Sequence, residues 1–226
     1  MNNDDLLHSR RVAPSILASD FAQVGAQVEE VMAAGARVIH VDVMDGHFVP
    51  VISIGPQMVS ALRDQVHEAG GWLDVHLMIE APERHVDAFA EAGADSISVH
   101  VEATPHVHYA LKAVRDAGCK AGLALNPGTS AETIEPLAGA FDLLLCMTVN
   151  PGWGGQSYIA GSEARIADLR RRIGPDVPIE VDGGIDAETA ASAAEAGATL
   201  FVAGSSVYGA EDAAAAYREI AAAAGA

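Results

Sequence analysis

Three short segments of this chain put ionisable side chains where buried strands are normally apolar. They read His40-Val41-Asp42-Val43-Met44, Asp74-Val75-His76-Leu77-Met78 and Glu180-Val181-Asp182-Gly183-Gly184. Side chains alternate across a strand, so His40, Asp42 and Met44 share one face while Val41 and Val43 take the other. An unpaired charge inside a strand is costly, so these positions need a reason. One reason is a metal: two imidazoles and two carboxylates, His40, Asp42, His76 and Asp182, suit one divalent ion such as Zn, Fe, Mn or Co. For each residue alone there is a plainer explanation, a satisfied core histidine or an aspartate capping a turn. Four such residues at matching strand ends favour the site. Its chemistry follows from its carboxylates. Asp42 and Asp182 can face a substrate from two sides, one removing a proton beside a carbonyl and the other returning a proton to the opposite face. A metal polarises the carbonyl and steadies the enediolate. This inverts a stereocentre with no organic cofactor. Met44, Met78 and Met147 lie beside these positions; they are either core fillers or a polarizable lining for the intermediate.

Such a site needs elements that bring distant strand ends together. Eight apolar runs recur along the chain: 12–17, 38–43, 73–78, 96–101, 120–125, 143–149, 179–182 and 200–203. Ala-rich amphipathic stretches separate them. Several stretches close on Ala-Gly-Ala (34–36, 92–94, 196–198) or Ala-Gly-Cys (117–119), where glycine suits the left-handed position that ends a helix. Alternating helices and near-continuous apolar strands predict a parallel sheet buried on both faces. Eight units without a break predict one (β/α)8 barrel of the TIM type over residues 12–226, after an N-terminal tail over 1–11; an open doubly wound sheet also fits the alternation. In a barrel the strand C-termini form the active face, which is where the polar residues fall.

The loops after runs seven and eight carry Gly183-Gly184 and Gly204-Ser205, the usual place for a phosphate in such barrels. No Lys or Arg lies in these two loops, so a phosphate there must be held by backbone amides. Tight βα turns alone are the plainer explanation. After run six, Gly152-Trp153-Gly154-Gly155 can fold over a ligand and exclude water, unless Trp153 simply packs on a helix. Ser15, after run one, is either a substrate contact or a turn former. His100, His106 and His108 follow run four and are read as surface histidines.

Composition sets outer limits. The 226 residues hold 31 acids against 13 Lys and Arg, a net charge of −18, which argues against nucleic acid and anionic membranes as partners. No run of about 18 apolar residues suggests a membrane span, and the N-terminus lacks the apolar centre of a signal peptide. Two cysteines, Cys119 and Cys146, sit in strand-like segments and are expected as buried free thiols, which suits the cytoplasm.

The motifs PSILASDF, HVDVMDGHFVP, DVHLMIEAPER, VHVEATPHVH, LALNPGT, MTVNPGWGGQSYI, EVDGGI and VAGSSVYG span Pro14 to Gly209. Together they resemble the ribulose-phosphate 3-epimerase family. That resemblance implies a TIM barrel that interconverts D-ribulose 5-phosphate and D-xylulose 5-phosphate, a step of the pentose phosphate and Calvin pathways, usually as a homo-oligomer. It implies metal ligation by His40, Asp42, His76 and Asp182, with Asp42 and Asp182 as the acid/base pair. It implies substrate contacts at Ser15, His76, Gly152, Trp153, Gly154, Gly155, Asp182, Gly183, Gly184, Gly204 and Ser205. The chain departs from the family pattern at a few positions, among them PSILASD where the family has PSILSAD. Val51 stands where Asn is frequent, Trp153 and Tyr158 where Phe is common. Two other functions fit the same residues: a 3-epimerase of a hexulose 6-phosphate such as D-allulose 6-phosphate, and an inactive barrel that only binds a phosphosugar.

Overall fold

The computed structural model describes residues 5–226. Eight strands form one parallel sheet: β1 Arg11–Pro14, β2 Val38–Met44, β3 Trp72–Met78, β4 Ser96–His100, β5 Lys120–Leu125, β6 Leu143–Met147, β7 Ile179–Asp182 and β8 Leu200–Ala203. Their order is β1-β8-β7-β6-β5-β4-β3-β2, each strand parallel to its neighbour. Between β1 and β2 the pairing narrows to one parallel bridge, Ser15 to His40, which brings the sheet round to a nearly closed barrel. The barrel, not the open sheet, is therefore the architecture.

A first turn, α1 Asp5–His8, precedes β1, and the other helices follow the strands as the alternation requires: α2 Val24–Ala33, α3 Pro56–Glu68, α4 Val86–Ala92, α5 Val107–Asp116, α6 Ser162–Ile173, α7 Ala187–Ala196, α8 Ser205–Tyr208 and α9 Ala213–Ala224. The four helix-closing glycines, Gly35, Gly93, Gly118 and Gly197, hold φ between 88° and 121°. One crossover differs. Between β5 and β6 the chain forms a 3-10 helix over Ala131–Leu137, with Pro136 inside it. Proline has no N–H to donate to a helical ladder and cannot continue an α-helix through this segment. No helix among the described residues is long and apolar enough to cross a membrane.

Two strands end more than one residue short of expectation. Run one stops at Pro14, because the Ser15 hydroxyl caps a 3-10 turn over Ile16–Ala18 by accepting from the Leu17 amide at 3.3 Å. Run six stops at Met147, because Thr148 turns to bond Asp182 and Gly183 carbonyls through its hydroxyl, at 2.9 and 2.6 Å. Cys119 and Cys146 are both buried free thiols, yet Cys119 lies one residue before β5 rather than in a strand.

Alternation divides the core. Outward residues such as Ile39, Val41, Leu73, Val75, Ile97, Val99, Leu144 and Phe201 pack against the helices in one large cluster. Inward residues are apolar at the lower end, where Ala13, Val38, Trp72, Leu143, Leu200 and Val202 meet Leu6 and Leu7 of α1. Residues 1–4 of the expected tail lie outside the described residues; the segment over Asp5–His8 is a helical turn with Leu6 and Leu7 buried. Those leucines close the barrel floor, so Leu7→Ala should lower stability by about 2–3 kcal/mol in urea unfolding. A change below about 0.5 kcal/mol, typical of a surface site, would mean that this segment does not seal the barrel.

Candidate active site

The upper half of the barrel interior is polar. His40, Asp42, Asp74, His76, Ser96, Ser98, His100 and Glu180 are all buried there, on β2, β3, β4 and β7. Ligand atoms of His40, Asp42, His76 and Asp182 lie within 4.8 Å of one another. The four residues singled out by spacing therefore meet at one place. The β2–β3 register explains half of this, since Asp42 pairs with His76 across the ladder and His40 pairs with Asp74. Asp182 arrives at the end of β7.

The contacts around the cluster are short. His40 Nδ1 is 2.7 Å from Asp74, and its Nε2 is 3.3 Å from Asp42. His76 Nδ1 is 3.1 Å from Asp42 and 3.7 Å from Asp182. The Ser15 hydroxyl donates to the other Asp42 oxygen at 2.5 Å. Ser15 thus both caps its turn and joins the cluster.

These neighbours split the titration of the four groups. Burial opposes a charge on Asp42, but His40 and His76 outweigh it and hold the carboxyl well below the usual range. For Asp182, burial and then the Asp42 charge push the pKa up to about 8. Burial also opposes a charge on His40, yet Asp42, Asp74 and Glu180 together raise its pKa well above the ordinary value. His76 is lowered to about 4, chiefly by burial, and is neutral at pH 7. Two carboxylates with pKa values driven apart are the mark of an acid and a base sharing one site.

The donor set also fits a cation. Neutral imidazole and carboxylate at these separations suit a first-row divalent metal. Glu180 strengthens the case: its buried carboxyl lies 3.3 Å from His40 Nδ1, which Asp74 already holds, and burial and then Asp74 raise its pKa well above normal. The pocket carries more negative groups than its own cations offset.

Above the cluster opens a cavity of about 430 Å³. Its floor includes Ser15, Asp42, Met44, Met78, Met147 and Asp182, so all three methionines do face the space beside the carboxylates. Its far wall is Gly183, Gly184, Gly204, Ser205 and Ser206, and its rim is the Gly152–Gly155 loop. No Lys or Arg lines it. Trp153 stays 56% exposed on the rim and is not packed away on a helix. Gln156 braces that loop by donating to the Asn150 and Trp153 carbonyls, at 2.7 and 2.9 Å. Val51 packs beside Met44, Val49 and Met78, below the rim.

Spacing alone overlooked several residues. Asp74 and Glu180 stand two positions before His76 and Asp182, on the same strand faces; that alternation was the available signal. Gln156, Tyr158 and Thr189 also line the cavity. The expectation that His100 is a surface histidine is wrong. It is fully buried at the end of β4, whereas His106 and His108 are exposed. Neighbouring surface histidines in sequence masked its inward strand position.

The family model for the ribulose-phosphate 3 epimerase family matches residues 11–208. The chain belongs to that family. It is 50% identical over 206 residues to ribulose-phosphate 3-epimerase of Bacillus subtilis, covering 89% of this chain and 94% of that one. It is 51% identical over 201 residues to the Rhodobacter capsulatus protein of the same name, covering 88% and 86%. The family makes it an enzyme, an isomerase of the epimerase class. Among solved structures, 3-hexulose-6-phosphate synthase of Salmonella typhimurium superimposes with a TM-score of 0.74 at 17% identity, over 95% of this chain and 98% of that one. At that identity the likeness is one of fold.

The glycine pair after β7 is required sterically. A methyl on Gly184, at φ 67°, would lie 2.3 Å from the Tyr158 backbone nitrogen. Nothing lies within 4 Å of the same position on Gly154. Gly184→Ala should therefore cost about 2–4 kcal/mol by denaturant unfolding, against under about 1 kcal/mol for Gly154→Ala. Equal costs would show that the two loops do not pack as described.

Proposed function

We propose that this epimerase interconverts D-ribulose 5-phosphate and D-xylulose 5-phosphate by a two-base reaction at C3, in which Asp42 and Asp182 remove and return protons on opposite faces. The observation that carries the proposal is that these two carboxylates, from β2 and β7, open into one cavity with opposed proton affinities. Asp42, ionised, accepts the C3 proton from one face. Asp182, protonated, delivers a proton to the other. In the reverse direction the roles exchange. Ser15 holds one Asp42 oxygen, and His40 and His76 face the other. The names of the relatives support the five-carbon substrate. No feature of the cavity favours the hexulose phosphate, and keeping both carboxylates speaks against an inactive barrel.

His40, Asp42, His76 and Asp182 would hold the divalent metal, whether Zn, Fe, Mn or Co. When bound, it supplies Lewis-acid polarisation of the C2 carbonyl and charge stabilisation of the enediolate. Met44, Met78 and Met147 line the same space with polarizable sulfur. The phosphate would rest on the amides of Gly183, Gly184, Gly204 and Ser205, since the wall offers no cation. The 150–157 loop, with Trp153 at its tip, would cover the ligand and exclude water. The catalytic domain in this proposal is residues 12–226, working as a homo-oligomer. The buried free thiols suit a reducing cytoplasm.

Asp182→Asn should lower kcat by about 100- to 10,000-fold with an unchanged unfolding curve. A near-normal rate would remove Asp182 from the mechanism. A second test uses pH. An imidazole nitrogen must be deprotonated to coordinate a metal, and Asp42, Asp74 and Glu180 raise the pKa of His40 well above its ordinary value. Zn²⁺ binding at pH 7 should therefore release a proton, and affinity should rise with pH. Calorimetric titration in two buffers of different ionisation heat reads this; binding without proton release contradicts the assignment.

A further inference from the structure

His100 sits behind the metal cluster and takes no part in the chemistry proposed above. Its Nε2 is 2.8 Å from His76 Nε2. The ring centroids are 4.9 Å apart with planes 28° from each other, so the two nitrogens meet edge to edge, as an N–H···N hydrogen bond requires. Its Nδ1 is 3.2 Å from Glu102 Oε2. The other Glu102 oxygen accepts from the Asn126 amide at 2.9 Å and from the Thr129 hydroxyl. Phe48 packs over the His100 ring, with centroids 4.9 Å apart. A single line thus runs from Asp42 through His76 and His100 to Glu102, anchored on the loop after β5.

The line can hold its protons in two ways. With Nδ1–H on His100, Glu102 accepts, His100 Nε2 is a lone pair, and His76 must donate from Nε2. His76 Nδ1 then points a lone pair at Asp42. With the reverse orientation, Asp42 accepts from His76 Nδ1–H, and the lone pair of His100 Nδ1 faces Glu102. Each orientation leaves one lone pair against one carboxylate. A cation between His76 and Asp42 removes the first penalty and leaves the second.

We infer that His100 and Glu102 are positioning residues that hold His76 with Nδ1 towards the metal. This rests on the metal reading above. His40 is held by different means: its Nδ1 is fixed by Asp74, at 2.7 Å, and Ser96 donates to the other Asp74 oxygen at 2.5 Å. So His40 presents Nε2 and His76 presents Nδ1. Outer partners of this kind commonly change metal affinity by about 10- to 100-fold.

The test is Zn²⁺ affinity of the full chain, measured by competition with a chelator, for the wild type, His100→Leu and His100→Gln. Leucine cannot accept from His76 Nε2–H and should weaken binding by about 10- to 100-fold. Glutamine can accept through its amide oxygen and should recover most of the loss. His100→Leu binding as tightly as wild type, with native circular dichroism, would overturn this inference and leave the metal site standing. Failure of the wild type to bind Zn²⁺ would overturn both. Should His100→Leu not fold, nitrogen-15 NMR of the Zn²⁺-loaded wild type decides. Nε2–H on His76 with Nδ1–H on His100 is expected, and Nε2–H on His100 would refute the relay.

Discussion

Four carboxylates, Asp42, Asp74, Glu180 and Asp182, converge on two imidazoles inside a barrel, and the rest of the site answers to that crowding. Two ionised carboxylates about 4 Å apart repel by about 4 kcal/mol at an effective dielectric of about 20. All four cannot stay charged without a counter-ion. Part of the relief is visible in the protons that the chain retains. Asp182 and Glu180 are pushed up, while His40 is held charged beside Asp42. A divalent cation would do the same work with less cost in protons. In the proposed mechanism, the crowding prepares one carboxyl to give a proton and another to take it.

The fold makes such crowding tolerable. Outward-facing residues of the same strands pack on the helices, so stability is supplied on the far side of each strand. The barrel floor is sealed by an apolar layer that includes Leu6 and Leu7. Polar residues are confined to the upper interior, next to the open cavity. The wall proposed for the phosphate is neutral in side chains: a lysine near these carboxylates would be drawn into the cluster, whereas backbone amides of fixed geometry cannot be.

Much of this was legible in the residues themselves. Alternation in His40-Val41-Asp42 and the partner segments located the site, and the Ala-Gly punctuation located the helix ends. What escaped were features that depend on a neighbour distant in sequence. Asp74 and Glu180 matter because β3 and β7 bring them to His40, and His100 because β4 brings it to His76. The early strand ends at Pro14 and Met147 arose from side-chain hydroxyls of Ser15 and Thr148 competing for backbone partners. Leu6 and Leu7 escaped because two apolar residues carry no periodicity.

Two carboxylates working on opposite faces of C3 make a prediction that one carboxylate cannot share. D-Ribulose 5-phosphate should be converted by the metal-loaded enzyme in D₂O, with deuterium at C3 followed by NMR in both sugars at low conversion. The account predicts deuterium in D-xylulose 5-phosphate from the first turnover, while the remaining D-ribulose 5-phosphate keeps its protium. Deuterium entering the recovered substrate as fast as the product would contradict it.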